Sequence, residues 1–172
     1  VPQIAMSAGT MIALSSKEII MGKQSNLGPI DPQFGGMSCA GIIEEFNEAC
    51  SDVKANPEMA RVWGPIISKY HPTFIGDCKK AMTWADTIVN KWLTENMFSA
   101  YTDAEARARK VVDALSSHNA TYSHSRHIHI DELNNLGLKI VPLERLDDRQ
   151  IDDCKDLQDC VLTIHHSFMQ TL

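Results

Sequence analysis

The chain has 172 residues, which is enough for one domain with one buried core. Its apolar content of 44% and charged content of 22% are ordinary for a globular protein. The formal net charge of −6 argues against nucleic acid as a partner, because neutralising phosphates requires a basic face. No apolar run approaches the roughly 20 residues that span a bilayer, and the first residues do not form a signal-peptide pattern.

The cysteines indicate a reducing compartment. Their number is odd and no two have CxxC spacing, so we predict reduced thiols that mostly fill the core, and neither disulfides nor a metal site. The five are Cys39, Cys50, Cys78, Cys154 and Cys160. We therefore expect a cytoplasmic location.

The first part of the chain alternates between strand and helix patterns. Residues 1–6 are predicted to form a strand, residues 7–16 a helix that begins with small side chains, and residues 18–21 a buried strand. Residues 25–36 contain two prolines and three glycines and are predicted to be a loop, with at most one short extended piece. Because natural chains rarely begin inside a buried strand, we expect a longer parent protein with residues upstream of Val1.

Helical patterns dominate the middle of the chain. Ser38 is a candidate N-cap for a helix over residues 39–53, and a shorter helix is expected over residues 57–63. Residues 64–72, with two prolines, are predicted to be a break. A long amphipathic helix is then expected over residues 74–97.

Three further elements are predicted towards the end. Thr102 and Glu105 have capping-box spacing for a helix over residues 103–116, and Asp131 is a candidate cap for a short helix that ends at Gly137. The last two predicted elements are a strand over residues 138–143 and a helix over residues 147–169. This order indicates one α/β domain over residues 1–172, with helices dominating its second half.

Ser7 is the candidate nucleophile. It lies where the first strand becomes a helix, a position at which unpaired N–H groups favour developing negative charge, and the N–H of Ala8 is a candidate oxyanion donor. The nucleophile-elbow pattern G-x-S-x-G is only partly matched, because Ala5 stands in place of the first glycine. The alternative is that Ser7 simply caps the helix.

A serine nucleophile needs a base, and no His–Asp pair can be tied to Ser7 from the sequence. A desolvated lysine can serve. Lys17 is excluded because ten helical residues place it roughly 15 Å away. Lys69 lies in a partly apolar break between helices and is the candidate base; the alternative is an ordinary surface lysine.

Histidines cluster late in the chain, and three of them have H-x-x-H-x-H spacing. The four are His118, His124, His127 and His129. No cysteine completes a zinc pattern and Arg126 lies between them, so we predict surface or substrate-groove roles, with no metal and no cofactor.

Several segments resemble known ClpP-fold peptidases. Residues 4–14 resemble their nucleophile segment, and residues 18–22 resemble the following strand of signal peptide peptidase A. Three more segments, 25–33, 123–128 and 136–140, resemble the serine dehydrogenase proteinase family. The resemblance covers most of the chain and is most specific around Ser7 and in the turn from Leu27 to Gln33.

The resemblance implies a ClpP/crotonase-like spiral fold that lacks its N-terminal part in this chain, which would be the C-terminal portion of its parent. It implies a serine peptidase with a Ser–Lys dyad, in which Ser7 is the nucleophile, Lys69 the base and Ala8 an oxyanion donor. A second oxyanion donor would come from an upstream glycine-rich loop. It further implies a peptide or protein substrate, a homo-oligomer and no cofactor.

Two other functions stay open at this point, because one fold hosts many functions. The first is a catalytically silent scaffold or binding module. The second is a crotonase-type acyl-CoA enzyme, although no pair of carboxylates is evident near Ser7. Membrane association through an upstream segment of the parent is also open.

Overall fold

The structure, a computed structural model, describes residues 1–116, 126–145 and 157–171. Its strands are β1 (Ile4–Ala5), β2 (Ile19–Met21), β3 (Asn26–Leu27), β4 (Gln33–Phe34), β5 (Met37–Ser38) and β6 (Ile140–Pro142). Its α-helices are α1 (Ala8–Leu14), α2 (Cys39–Ala55), α3 (Ala60–Ile67), α4 (Phe74–Glu95), α5 (Ala104–Ser116), α6 (Ile130–Leu136) and α7 (Leu157–Thr171). Short 3₁₀ turns occupy Pro57–Met59 and Leu143–Arg145. This mixture of helices and short strands agrees with the predicted α/β class.

The strands form small sheets, and their pairing positions the first helix. β1 pairs in parallel with β3, and β2 pairs in parallel with β6, while β4 and β5 form an antiparallel hairpin. The nitrogen of Val1 donates to the carbonyl of Ile20 at 2.7 Å, which links the segment before β1 to β2. Pro142 ends β6, whose partner among the described strands is β2, which suits a residue that cannot donate to a ladder.

The main core lies between the parallel strands and four helices. Fully buried side chains of this core come from the strands and from the helices around them. They include Leu14, Met21, Leu27, Leu93, Phe98, Val111, Leu115 and Leu133. A second, smaller core joins α2 to α4 around Cys39, Ile42 and Cys78. Burial of these side chains, rather than strand length, fixes the short strands in place.

The structure confirms most predicted helices and corrects three local predictions. Residues 33–38 form a hairpin rather than a loop, turned by Gly35 and Gly36 with φ of 58° and 82°. The break predicted over residues 64–72 begins later, at residue 68, because α3 continues through Pro65 to Ile67. Asp131 does not cap α6, since it lies inside the helix and the cap position is His129.

Tertiary packing explains the continuation of α3. Interior proline costs a helix about 3 kcal/mol, so contacts outside the helix must compensate. α3 packs against α2, and Trp63 Nε1 donates to Asp52 at 3.0 Å. Gly137 ends α6 in the left-handed conformation, with φ of 92°, as its position predicts.

The last helix packs on the sheet by one side only. Val161 contacts Val141 and Leu143, whereas Ile164 and Phe168 are exposed. The first ten residues of the predicted helix, 147–156, lie outside the described residues. Across the described ranges, no helix combines the length and apolar character that crossing a bilayer requires.

Candidate active site

Ser7 has a strained backbone. Its φ of 50° and ψ of −115° make it the one non-glycine residue with positive φ in the described part of the chain. Such a conformation costs about 1–3 kcal/mol and persists only where neighbouring structure over-determines it. Ser7 is partly exposed and occupies the N-cap position of α1, but its side chain makes no capping hydrogen bond, so its hydroxyl does not cap the helix as the alternative expects.

Backbone hydrogen bonds hold the strained turn on both sides. The N–H of Ser7 donates to the carbonyl of Pro29 at 3.2 Å, and the N–H of Gly9 donates to that of Met6 at 2.8 Å. The N–H of Ser7 is therefore engaged. The N–H of Ala8 has no acceptor among the hydrogen bonds of the described residues, and Ala8 is exposed. It remains the predicted oxyanion donor.

Gly28 lets the neighbouring strand approach the turn closely. Its N–H donates to the carbonyl of Ala5 at 2.8 Å. A Cβ at Gly28 would lie 2.7 Å from Cε of Met6, the residue that precedes Ser7. A side chain at position 28 would therefore require the flexible thioether end of Met6 to move, whereas the nearest backbone atom, Cα of Met6, lies 3.4 Å away.

The strain at Ser7 predicts an unusual order of stability between two variants that both lack the hydroxyl. Ser7→Gly should be more stable than Ser7→Ala by about 1 kcal/mol, because glycine tolerates positive φ and alanine does not. Urea unfolding measures the difference. As a control, Ala106→Gly, at an exposed position with negative φ in the first turn of α5, should destabilise by up to about 1 kcal/mol. An Ser7→Gly protein less stable than Ser7→Ala would contradict a strained Ser7.

Lys69 lies in the connection between α3 and α4 and is exposed. Its N–H donates to the carbonyl of Ile66 at 3.1 Å. Beside it, the hydroxyl of Tyr70 donates to Glu45 Oε2 at 2.7 Å, and this hydrogen bond raises the pKa of Tyr70. Within the described residues, no hydrogen bond or ion pair joins Lys69 to Ser7, so the structure of a single chain does not bring the predicted dyad together.

A row of aromatic rings, which sequence reasoning missed, fixes the Lys69 connection. Tyr70 stacks on Phe74 at 5.5 Å between ring centroids, and Phe46 lies 5.2 Å from Tyr70. Phe34 of the hairpin extends the row, 5.7 Å from Phe74. The row joins the hairpin that follows Pro29 to the segment that carries Lys69. The spacing of these residues along the sequence gives no signal of it, because they come from four separate elements.

The cysteines and histidines take mixed positions. Cys39 and Cys78 are buried, as predicted, and desolvation together with a hydrogen bond to Cys78 raises the pKa of the Cys39 thiol to about 12. Cys50 and Cys160 are exposed, which corrects the prediction for these two. Cys154 lies outside the described residues. Of the predicted histidine cluster, His127 and His129 are exposed, and His118 and His124 also lie outside the described residues.

Comparison with known proteins identifies the family. Residues 1–145 match the model of the ClpP-like SDH-type serine proteinases. Because the match covers most of the chain, the protein belongs to this family, as the resemblance predicted. Its last described helix, α7, lies beyond the matched residues.

Two proteins of Methanocaldococcus jannaschii, both described as uncharacterised, are similar to this chain. MJ1495 is 26% identical over 140 residues, and MJ0137 is 28% identical over 140 residues. Each alignment covers 81% of this chain but only 40% of MJ1495 and 42% of MJ0137. The chain therefore spans less than half the length of these curated relatives. No solved structure gives a significant match.

Proposed function

We propose that this member of the ClpP-like SDH-type serine proteinases is a peptidase that hydrolyses peptide bonds with Ser7 as its nucleophile and Lys69 as its general base, similar to signal peptide peptidase A. The observation that carries the proposal is the strained conformation of Ser7, held between β1 and α1 with its hydroxyl released from capping. Strained residues at strand-to-helix turns are typical of nucleophiles that must stand clear of the backbone.

The proposed chemistry follows from the groups at the turn. The neutral amine of Lys69 accepts the proton of the Ser7 hydroxyl as Oγ attacks the carbonyl carbon of the peptide bond. The Ala8 N–H donates to the developing oxyanion. The lysine then gives its proton to the leaving amine, and the C–N bond breaks to leave an acyl-enzyme. A water molecule, deprotonated by the same amine, hydrolyses the ester and regenerates Ser7.

The position of Lys69 supports assembly into a homo-oligomer. In the single chain Lys69 is exposed, α3 packs against α2, and α4 contacts both α2 and α1, yet no hydrogen bond or ion pair among the described residues joins Lys69 to Ser7. A second copy that covered this connection would bring an amine to a neighbouring Ser7. It would also desolvate that amine, which favours the neutral form that accepts a proton. The spiral fold of the ClpP and crotonase proteins is part of the same proposal.

Labelling with a fluorophosphonate tests the proposal without knowledge of the substrate. The probe reacts with a serine only when its hydroxyl is activated, so we expect one label, located at Ser7 by mass spectrometry of the digested protein. Heat-denatured protein is the control and should remain unlabelled. If the native, full-length protein takes up no label at Ser7, it is a silent scaffold rather than a peptidase.

A further inference from the structure

The hydroxyl of Thr10 joins three elements next to Ser7. Thr10 lies on α1, three residues after Ser7, and is fully buried. Its Oγ1 is 2.8 Å from the carbonyl oxygen of Ala5 at the end of β1 and 2.9 Å from that of Gly28, which follows β3. It also accepts the N–H of Gly28 at 3.2 Å. One side chain thus connects the strand before the turn, the helix after it and the neighbouring strand.

The carbonyl of Gly28 depends on Thr10 for a hydrogen bond more than the carbonyl of Ala5 does. A hydroxyl has one proton, so it donates to one of the two carbonyls at a time. The carbonyl of Ala5 also receives the N–H of Gly28. For the carbonyl of Gly28, the hydrogen bonds of the described residues contain no donor besides Thr10. Removing the hydroxyl would therefore leave the Gly28 carbonyl buried without that partner, which is unfavourable.

Gly28 leads directly to the group that holds Ser7. The next residue is Pro29, whose carbonyl accepts the N–H of Ser7 at 3.2 Å. A shift of Gly28 would move this acceptor, and the strained conformation of Ser7 depends on such contacts. The hydroxyl of Thr10 therefore acts on Ser7 through Gly28 and Pro29, and not by contact with the reacting atoms.

We propose that Thr10 is a positioning residue, which holds the Ser7 hydroxyl where it can attack and which acts through its own hydroxyl rather than through its bulk. The inference rests on the proposed function, because it concerns the reactivity of Ser7. The alternative is that Thr10 only stabilises the fold and does not affect the reactivity of Ser7 in the folded protein.

Two substitutions separate the hydroxyl from the bulk. Thr10→Val is close in shape and removes the hydroxyl, and Thr10→Ser keeps the hydroxyl and removes the methyl group. The readout is the second-order rate of fluorophosphonate labelling at Ser7 in the folded, full-length protein. Small displacements of reacting groups lower rates by up to about 100-fold, so we expect Thr10→Val to label about 10- to 100-fold more slowly. Thr10→Ser should stay within about threefold of the wild type.

A distant variant accounts for lost stability. Leu133→Ala leaves a cavity in the main core where α6 packs and so lowers the stability of the fold. Its labelling rate should nevertheless equal that of the wild type. A second readout is the labelling rate as a function of pH. In Thr10→Val the pH at half-maximal rate should be unchanged, because the base is unaltered, while the maximal rate should fall.

The outcomes separate this inference from the proposed function. Wild-type protein without label would reject the function itself. Labelled wild type together with Thr10→Val at the wild-type rate would overturn the role of Thr10 alone. A tenfold slower Thr10→Ser would overturn it as well, because the methyl group would then be what matters. If Thr10→Val does not fold, Thr10→Cys replaces it: its thiol is only a weak hydrogen-bond donor, so it should also label more slowly, and labelling at the wild-type rate would overturn the role of Thr10.

Discussion

Ser7→Ala should abolish peptide cleavage while leaving the protein folded. Loss of a nucleophile in a serine peptidase lowers kcat by about 10³- to 10⁶-fold, because the remaining groups cannot form the acyl-enzyme. The fold should persist, since the hydroxyl of Ser7 makes no capping bond and alanine keeps the same backbone constraint as serine. Cleavage of an unfolded protein such as casein, followed by release of acid-soluble peptides, measures the loss.

Ser15→Ala is the matched control for this variant. Ser15 lies at the other end of the same helix, and its hydroxyl donates to the carbonyl of Ile12 at 2.7 Å. Removing that exposed bond should change stability by about 1 kcal/mol or less and leave cleavage at the wild-type rate. Cleavage that persists in Ser7→Ala would reject Ser7 as the nucleophile, whatever the behaviour of the control.

Periodicity predicts the long helices well and the short strands poorly. The apolar positions of α2 and α4 recur at helical spacing, and Ser38 accepts from the N–H of Gly41 as a cap should. Strands of two or three residues have too few positions for alternation to be visible, so only the glycine pair marked the β4–β5 hairpin. Gly64 and Pro65 favour a break locally, but the packing of α3 on α2 outweighs that preference.

The candidate site likewise has a part that the sequence predicts and a part that only the structure shows. The position of Ser7 at a strand-to-helix transition is a local feature, so the sequence predicts it, although the backbone strain appears only in the structure. The contacts that hold this turn come from Gly28 and Pro29, some twenty residues away, and no local pattern reports them. The proposed base is harder to predict, because Lys69 is exposed in the single chain and the sequence does not report what would cover it.

Lys69→Ala should lower peptide cleavage by about 10²- to 10⁴-fold, the range that a general base contributes. The side chain is exposed in the single chain, so stability should be nearly unchanged. Lys80→Ala is the control, because Lys80 is also exposed, lies nearby on α4 and forms only a surface ion pair with Asp77. Wild-type turnover in Lys69→Ala would place the base elsewhere.

Mixing the two inactive variants tests whether the dyad forms between copies. Subunits of Ser7→Ala carry an intact Lys69, and subunits of Lys69→Ala carry an intact Ser7. The two variants are mixed, dissociated and reassembled. If the amine of one copy reaches the nucleophile of its neighbour, some sites of the mixed assembly contain Ser7 from one variant and Lys69 from the other, and these sites should cleave peptide. Because Lys69 is exposed and no described contact joins it to Ser7, we expect this recovery. A reassembled mixture as inactive as its parts would confine the dyad to one chain, and the assembly would then have no part in the chemistry.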